Sequence, residues 1–257
     1  MTSSPVLGID IGGSGIKGAL VNVETGTLAS HRLRIPTPQP ANPAEVAEVV
    51  SQVVAEFTTG DNKAVAGITF PTIVQHGVTH AAANLGGVWA GVNAEQLFSD
   101  ACGGMPVRVV NDADAAGYAE ITFGAAAGNE GLVLVTTLGT GIGTALFYRG
   151  ILVPNAELGH LEIDGVDYES RAAARVKDEE NLSWAEYIPR LQRYYETLEF
   201  LLSPDLIVVG GGISKEHAKF LPALKLRTPI VPAQMRNKAG IIGAACYVAS
   251  VTQLPGR

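Results

Sequence analysis

Two stretches, "GSGIKGALV" (Gly13–Val21) and "GTGIGTALF" (Gly139–Phe147), decide how the chain folds. The first has the G-x-G-x-x-G spacing of a dinucleotide-binding turn. The second resembles it 126 residues later: five of nine positions are identical, and Ser14 is matched by Thr140. A dinucleotide turn has to open a helix. Here "VLGIDI" before the glycines and "IKGALVNV" after them both read as strands, so the glycines belong in a β-hairpin. That context tells against a nicotinamide-dependent enzyme, a reading that failure to bind NAD would exclude. A P-loop fails because Lys17 is followed by Gly18 in place of Ser or Thr. A protein-kinase glycine loop does lie in a hairpin, but neither HRD nor DFG follows. What remains is a glycine-rich hairpin turn, which offers bare N–H groups and lets phosphate oxygens approach the backbone closely. Taken singly, either turn is as well explained as a plain tight turn. The duplication and the matched hydroxyls favour phosphate, gripped once by each turn.

Working outward, "ETG" (Glu24–Gly26) is a turn and "TLASHRLRI" (Thr27–Ile35) a third strand. "NPAEVAEVVSQVVAEF" is an amphipathic helix, with Asn42 as N-cap, Pro43 in the first position and Glu45 placed to close a capping box. Its buried face is Val46, Val49, Val50, Val53, Val54 and Phe57. "AVAGITF" and "PVRVV" are further strands. The second half begins again with strand "LVLVTT", the second glycine turn, and strands in "TALFYRG" and "GILVP". A helix capped by Ser183 and Glu186, with Pro189 as a possible kink, precedes the strand "DLIVV", and "AGIIGAACYVASV" closes the chain as a helix. The fold class is therefore α/β, a duplication of β-hairpin-plus-α/β units. The expected lobes are 1–113, with the first phosphate turn and part of a sugar site, and 114–257, with the second turn, a sugar motif and dimer contacts. The last helix is expected to pack back on the first lobe. Such a repeat implies a central cleft, and ligands in open α/β sheets sit beyond the strands' C-terminal ends.

Composition agrees. The chain has 257 residues, 47% hydrophobic and 17% charged, as in a packed α/β protein. A net charge of −7 argues against nucleic acid or a membrane surface as partner. Cys102 and Cys246 stand alone, so neither a disulfide framework nor a cysteine zinc site is expected. "MTSSPVLGID" shows no targeting pattern, and no apolar run approaches the about 18 residues of a membrane span. The expected compartment is the cytoplasm.

Five segments in order, "DIGGSGIKGAL", "VVNDADAAG", "LGTGIG", "ELGH" and "AGIIGAA", resemble the ROK family of bacterial sugar kinases. The resemblance covers nearly the whole chain. It is nearest to the actinobacterial polyphosphate glucokinases, which share "TPQPA", "NDADAAG", the "PNAELGHLE" pattern and "GGGIS". It implies the two-lobed actin/hexokinase-like, ribonuclease H-like fold, a sugar in the cleft and a homodimer. It implies glucose, alone or together with mannose, as acceptor, phosphorylated on its 6-hydroxyl from inorganic polyphosphate and/or ATP with Mg2+. The alternative is a sugar-sensing regulator without catalysis. Retention of Asp112 and a first strand that starts at once, leaving no room for a DNA-binding helix-turn-helix, argue against it. Two departures stand out. "HLEIDGVDYESRAAARV" has none of the cysteines of the family's zinc motif, so no zinc is expected. "FPTIV" (Phe70–Val74) lacks the Gly that many relatives carry after the Pro.

Phosphoryl transfer to a hydroxyl needs a base, charge neutralisation and alignment. Asp112 follows the strand "PVRVV" and is the candidate base, while Asp114 reads as a helix cap. The resemblance implies that Asp10 acts near Mg2+ through water, beside Gly12, Gly13, Ser14 and Gly15 at the first turn and Gly139, Thr140 and Gly141 at the second. Lys17 is either a phosphate contact or an ordinary strand lysine. Asn84, Asn111, Asp112, Glu157, His160 and Glu162 match the family's sugar contacts, and Gly210, Gly211 and Gly212 border the nucleotide. Arg171, Arg175, Lys177, Arg190 and Arg193 are the candidate track for a polyanion. They are interspersed with Glu169, Asp178, Glu179 and Glu180, which equally suits a solvated mixed-charge face.

Overall fold

A computed structural model describes residues 4–58, 65–80 and 87–253. Val6–Gly12 (β1) and Gly15–Asn22 (β2) form the first hairpin, with Asp10 opposite Lys17 and Gly12 opposite Gly15. The third strand expected over 27–35 is broken into Thr27–Leu28 (β3) and Leu33–Ile35 (β4), both paired with β2. The cause is Ser30: its hydroxyl accepts the Leu20 N–H at 2.9 Å and so replaces a ladder carbonyl. Helix α1 (Pro43–Phe57) buries Val46, Val49, Val50, Val53 and Val54 as its periodicity requires. The capping box at its start does not form. Asn42 makes no side-chain cap, and Pro43 at the first position leaves one fewer orphan N–H to satisfy.

Next come Ala66–Phe70 (β5), the small hairpin Val74–Gln75 (β6) with Val78–Thr79 (β7), helix α2 (Ala94–Ala101), Val107–Asn111 (β8) and helix α3 (Asp112–Phe123). The second hairpin is Leu132–Leu138 (β9) with Ile142–Tyr148 (β10), continued by Ile151–Val153 (β11). A two-stranded ribbon, Glu162–Ile163 (β12) and Val166–Asp167 (β13), leads into short helices Glu169–Ala172 (α4) and Ala174–Glu179 (α5). Helix α6 (Trp184–Leu202) starts at the capping pair, with the Ser183 N–H on the Glu186 carboxylate at 2.9 Å, and runs through Pro189 to Leu202. Leu206–Gly210 (β14), Ile230–Pro232 (β15) and helix α7 (Ala239–Gln253) complete the chain.

The duplication is plain in the two main sheets. Their orders are β3-β2-β1-β5-β8 and β11-β10-β9-β14-β15, each an antiparallel hairpin whose first strand continues into two parallel neighbours. The chain divides into two compact units, 1–119 with 237–257, and 120–236, the division falling inside α3. In the first unit α7 lies against β1 and β5, and two glycines make room for it. Gly8 and Gly67 are partners across β1 and β5. A Cβ on Gly8 would stand 2.0 Å from the Ile241 carbonyl oxygen, and one on Gly67 1.9 Å from that of Ala244. Phe70, Trp89 and Phe98 cluster in this unit's core, Phe70 and Trp89 with ring centroids 4.4 Å apart. The second unit's core gathers Tyr187, Leu191, Tyr194, Tyr195 and Leu198 from α6 against Leu134, Ile207 and Val209 of the sheet.

Candidate active site

In the first unit the site is built at the C-terminal ends of β1, β5 and β8. Register places Asp10 opposite Lys17 on one side and Thr69 on the other. Strand alternation puts Asp10 and Thr69 on the same face as Gly8 and Gly67, the face that α7 covers. Asp10 is therefore held at the start of α7, its carboxylate 2.9 Å from where a Gly240 Cβ would be. Its Oδ2 pairs with the Lys17 ammonium at 2.9 Å and its Oδ1 accepts the Thr69 hydroxyl at 3.0 Å. Lys17 is thus committed to Asp10, which sequence reading left open.

The β1–β2 turn is Gly13-Ser14. Neither it nor the second turn contains a residue with positive φ, so backbone conformation does not demand these glycines. A Cβ on Gly13 or Gly139 would meet nothing within 4 Å. Among the described residues, the N–H groups of Gly13, Ser14, Thr140 and Gly141 have no acceptor. Glycine at these points leaves bare donors and open approach, which is what a phosphate needs.

β8 ends at Asn111, and its side chain turns back on the structure. Oδ1 accepts the N–H groups of Ala113 (2.8 Å) and Asp114 (3.1 Å), capping α3, while Nδ2 donates to the Thr72 carbonyl at 3.1 Å. The cap expected of Asp114 is supplied by Asn111. Asp114 is buried, at 1% exposure. Asp112, between buried Asn111 and Ala113, is exposed as the first residue of α3, and its Oδ1 accepts the Ala113 N–H at 2.9 Å.

In the second unit the β9–β10 turn is Gly139-Thr140-Gly141, closed by Leu138 opposite Ile142. It is one residue longer than its counterpart, so the sequence match across the two turns is not a match of register. Glu169 braces it. Its carboxylate accepts the Ile142 N–H at 2.8 Å and fills the space where a Gly141 side chain would stand. The "ELGH" segment packs onto the same strand. Gly159 has no Cβ because the Ile142 carbonyl oxygen lies 2.0 Å from that position. The Thr144 hydroxyl donates to the Ala156 carbonyl and accepts the Leu158 N–H.

Glu157 and His160 are thereby fixed beside the second turn. Burial pushes the Glu157 carboxyl up. His160 Nδ1 bonds Asp167 Oδ2 at 2.9 Å, and chiefly for that reason its pKa is raised above 6.5. Glu162, on β12 opposite Asp167, is exposed. Gly210 ends β14. Gly211 has φ +81° and a Cβ there would collide with Leu138, while Gly212 is open and starts a 3₁₀ helix. Asn84 lies outside the described residues.

The candidate polyanion track is mostly neutralised. Arg193 forms a two-pronged pair with Asp164 at 2.8 and 3.0 Å, Arg190 pairs with Glu180 at 2.7 Å, and the Lys177 ammonium sits 4.8 Å above the Trp184 ring. Arg175 stays at the second turn, its Nε donating to the Thr140 carbonyl at 3.1 Å. Sequence reading missed the residues that hold the site in shape: Thr69, Asp167, Glu169 and the segment Arg34–Gln39. In sequence, "TPQPA" is a shared motif without a role and Glu169 one of the acids among the track's cations.

Among the described residues, no group of three or more His, Cys, Asp or Glu side chains could hold a metal ion, and no helix is long and apolar enough to cross a membrane. Similarity to known proteins extends over nearly the whole chain. A polyphosphate glucokinase of Mycobacterium tuberculosis is 45% identical over 238 residues, 93% of this chain and 89% of that protein. The crystal structure of an inorganic polyphosphate/ATP-glucomannokinase from Arthrobacter sp. strain KM is 54% identical, with a TM-score of 0.90 over 97% of this chain and 100% of that one. A ROK family glucokinase from Streptomyces griseus, 23% identical, shares the fold with a TM-score of 0.79 over 94% of this chain and 98% of that one. Residues 6–180 match the ROK family, and the chain belongs to it.

Proposed function

We propose that this chain is a polyphosphate/ATP-dependent glucokinase, moving a phosphoryl group to the 6-hydroxyl of glucose and also accepting mannose. The observation that carries the reading is the pair of glycine turns with unengaged N–H groups, in a chain 45% and 54% identical to proteins named for polyphosphate-dependent sugar phosphorylation. The N–H groups of Gly13, Ser14, Thr140 and Gly141 hold donor phosphates. Gly210, Gly211 and Gly212 border the adenosine when ATP is the donor.

Asp112 takes the proton from the attacking hydroxyl, a role typically worth about 10²–10⁴-fold in rate. Glu157 and His160 bind sugar hydroxyls, with Asp167 fixing the imidazole so that Nε2 is the nitrogen left for the sugar. Asn84, Asn111 and Glu162 complete the sugar set, Asn111 through the one amide hydrogen that its bond to the Thr72 carbonyl leaves over. Asp10 holds Mg2+ through water. Its carboxylate, already bonded to Lys17 and Thr69 and, among the described residues, in no group of three or more metal-ligating side chains, suits an ion that keeps several waters and takes one or two carboxylates plus substrate phosphates. When bound, that ion neutralises charge on the donor phosphates. The family resemblance supports a cytoplasmic homodimer without zinc.

A coupled assay for glucose 6-phosphate on purified protein tests the reading. Sugar binding without turnover under any donor would contradict it and favour a sensing role.

A further inference from the structure

The first phosphate turn is fastened by one segment of chain. Three successive carbonyls each accept a hydrogen bond from it: Gly12 from the Thr37 hydroxyl (2.5 Å), Gly13 from Gln39 Nε2 (3.1 Å) and Ser14 from Arg34 Nη2 (2.8 Å). The segment is itself anchored. Thr37 is buried, and at its far end the buried Ala41 carbonyl accepts the Trp89 indole N–H at 2.8 Å. A planar trans peptide points its N–H opposite to its C=O. Fixing these carbonyls therefore turns the N–H groups of Gly13 and Ser14 away from the segment and keeps them aimed together.

Arg34 does more than fasten. Gly15 leaves it a seat: a Cβ there would lie 2.7–2.9 Å from Nε, Cζ and Nη2 of the guanidinium. The side chain is exposed and, among the described residues, has no carboxylate partner. Lys17, the other cation at this turn, is spent on Asp10. The second turn is arranged with the opposite sign. The space beside Gly141 holds the Glu169 carboxylate, and Arg175 on the Thr140 carbonyl has Glu179 at 3.8 Å. The two turns look alike in sequence, but among the described residues Arg34 at the first has no carboxylate within ion-pair distance, whereas Arg175 at the second has Glu179.

We propose that Arg34 is a donor-selecting residue: its guanidinium binds a phosphate beyond those held by the turn's N–H groups, and it supports a long polyphosphate more than ATP. This rests on the polyphosphate/ATP glucokinase reading. A guanidinium suits the task because its fork of N–H groups grips phosphate oxygens in pairs, and docking on the Ser14 carbonyl uses only part of that fork.

The test compares kcat/KM for long-chain polyphosphate and for ATP, at saturating glucose with Mg2+, in wild type, Arg34→Gln, Arg34→Lys and the control Arg32→Gln, which removes the same charge two residues away. Arg34→Gln is expected to lower the polyphosphate-to-ATP ratio of kcat/KM by about tenfold or more, the scale of one lost charge-assisted hydrogen bond, mainly through KM. Arg34→Lys should recover part of the ratio, and Arg32→Gln should leave it near the wild-type value. An equal loss with both donors would mean that Arg34 only shapes the turn and would overturn the proposal. So would an unchanged ratio, or an equal fall in Arg32→Gln. Wild-type protein that uses ATP but never polyphosphate would refute the donor reading itself, a result distinct from all of these.

Discussion

Asp112 stands out against its neighbours: Asn111, Ala113, Asp114 and Ala115 are buried, and it alone is exposed. Its position after a strand was legible in "VVNDADAAG". How the three share the helix start was not, because Asn, Asp and Asp at 111, 112 and 114 are all good caps and only the register of β8 gives Asn111 the N–H groups of both Ala113 and Asp114, with Asp112 accepting that of Ala113 as well. Asp112→Asn should lower kcat by about 10²-fold or more while glucose binding, followed by titration calorimetry, stays measurable. Retention of over about a tenth of wild-type kcat would remove Asp112 as base.

His160 offers a second check at this scale. Its pKa is raised above 6.5, mainly by the Asp167 hydrogen bond, so the pair's stabilisation is complete below the ordinary histidine range and is lost as pH rises through the raised value. Both side chains are about half exposed, at 55% and 53%, which limits the effect to less than about 1 kcal/mol. Asp167→Asn should therefore lose a little stability to urea at pH 5.5 and none at pH 9, while raising KM for glucose. A stability loss that grows with pH would contradict this account of the pair.

At the scale of elements, hydrophobic period and glycine content carried most of the reading. The valine face of α1, the two hairpins and the closing helix all follow from patterns in the chain. What escaped depends on contacts distant in sequence. The Ser30 hydroxyl that splits the third strand is invisible to alternation, and so is the one-residue difference between turns of matching sequence. The glycines themselves separate into two kinds that sequence cannot distinguish. Gly67→Ala forces a Cβ against the α7 backbone and should destabilise the protein by about 1–3 kcal/mol or more in denaturant melts. Gly13→Ala meets open space, and its stability should stay within about 0.5 kcal/mol of wild type while KM for the phosphoryl donor rises. A donor KM unchanged in Gly13→Ala would mean that the turn is merely a turn.

For the whole molecule, the repeated sheet order explains why one glycine turn occurs twice: the main sheet of each compact unit contains its own hairpin. Of the five cations in the candidate polyphosphate track, Arg190 pairs with Glu180 and Arg193 with Asp164, contacts set by which side chains face α6 and not by spacing along the chain. If exposed arginines such as Arg34 guide a long polyanion, activity with polyphosphate should fall more steeply with added salt than activity with ATP, since screening acts over about 8–10 Å at moderate ionic strength. Parallel salt curves for the two donors would argue against such guidance.

The central claim is the reaction, and it is tested most directly by donor comparison on the purified chain. Glucose is supplied with Mg2+ and either ATP or polyphosphate of defined lengths, and glucose 6-phosphate is measured. The account predicts product with polyphosphate and with ATP, and no product with either donor in Asp112→Asn above about a hundredth of the wild-type rate. Product with ATP alone across all chain lengths would contradict the polyphosphate claim, and no product with any donor would contradict the kinase.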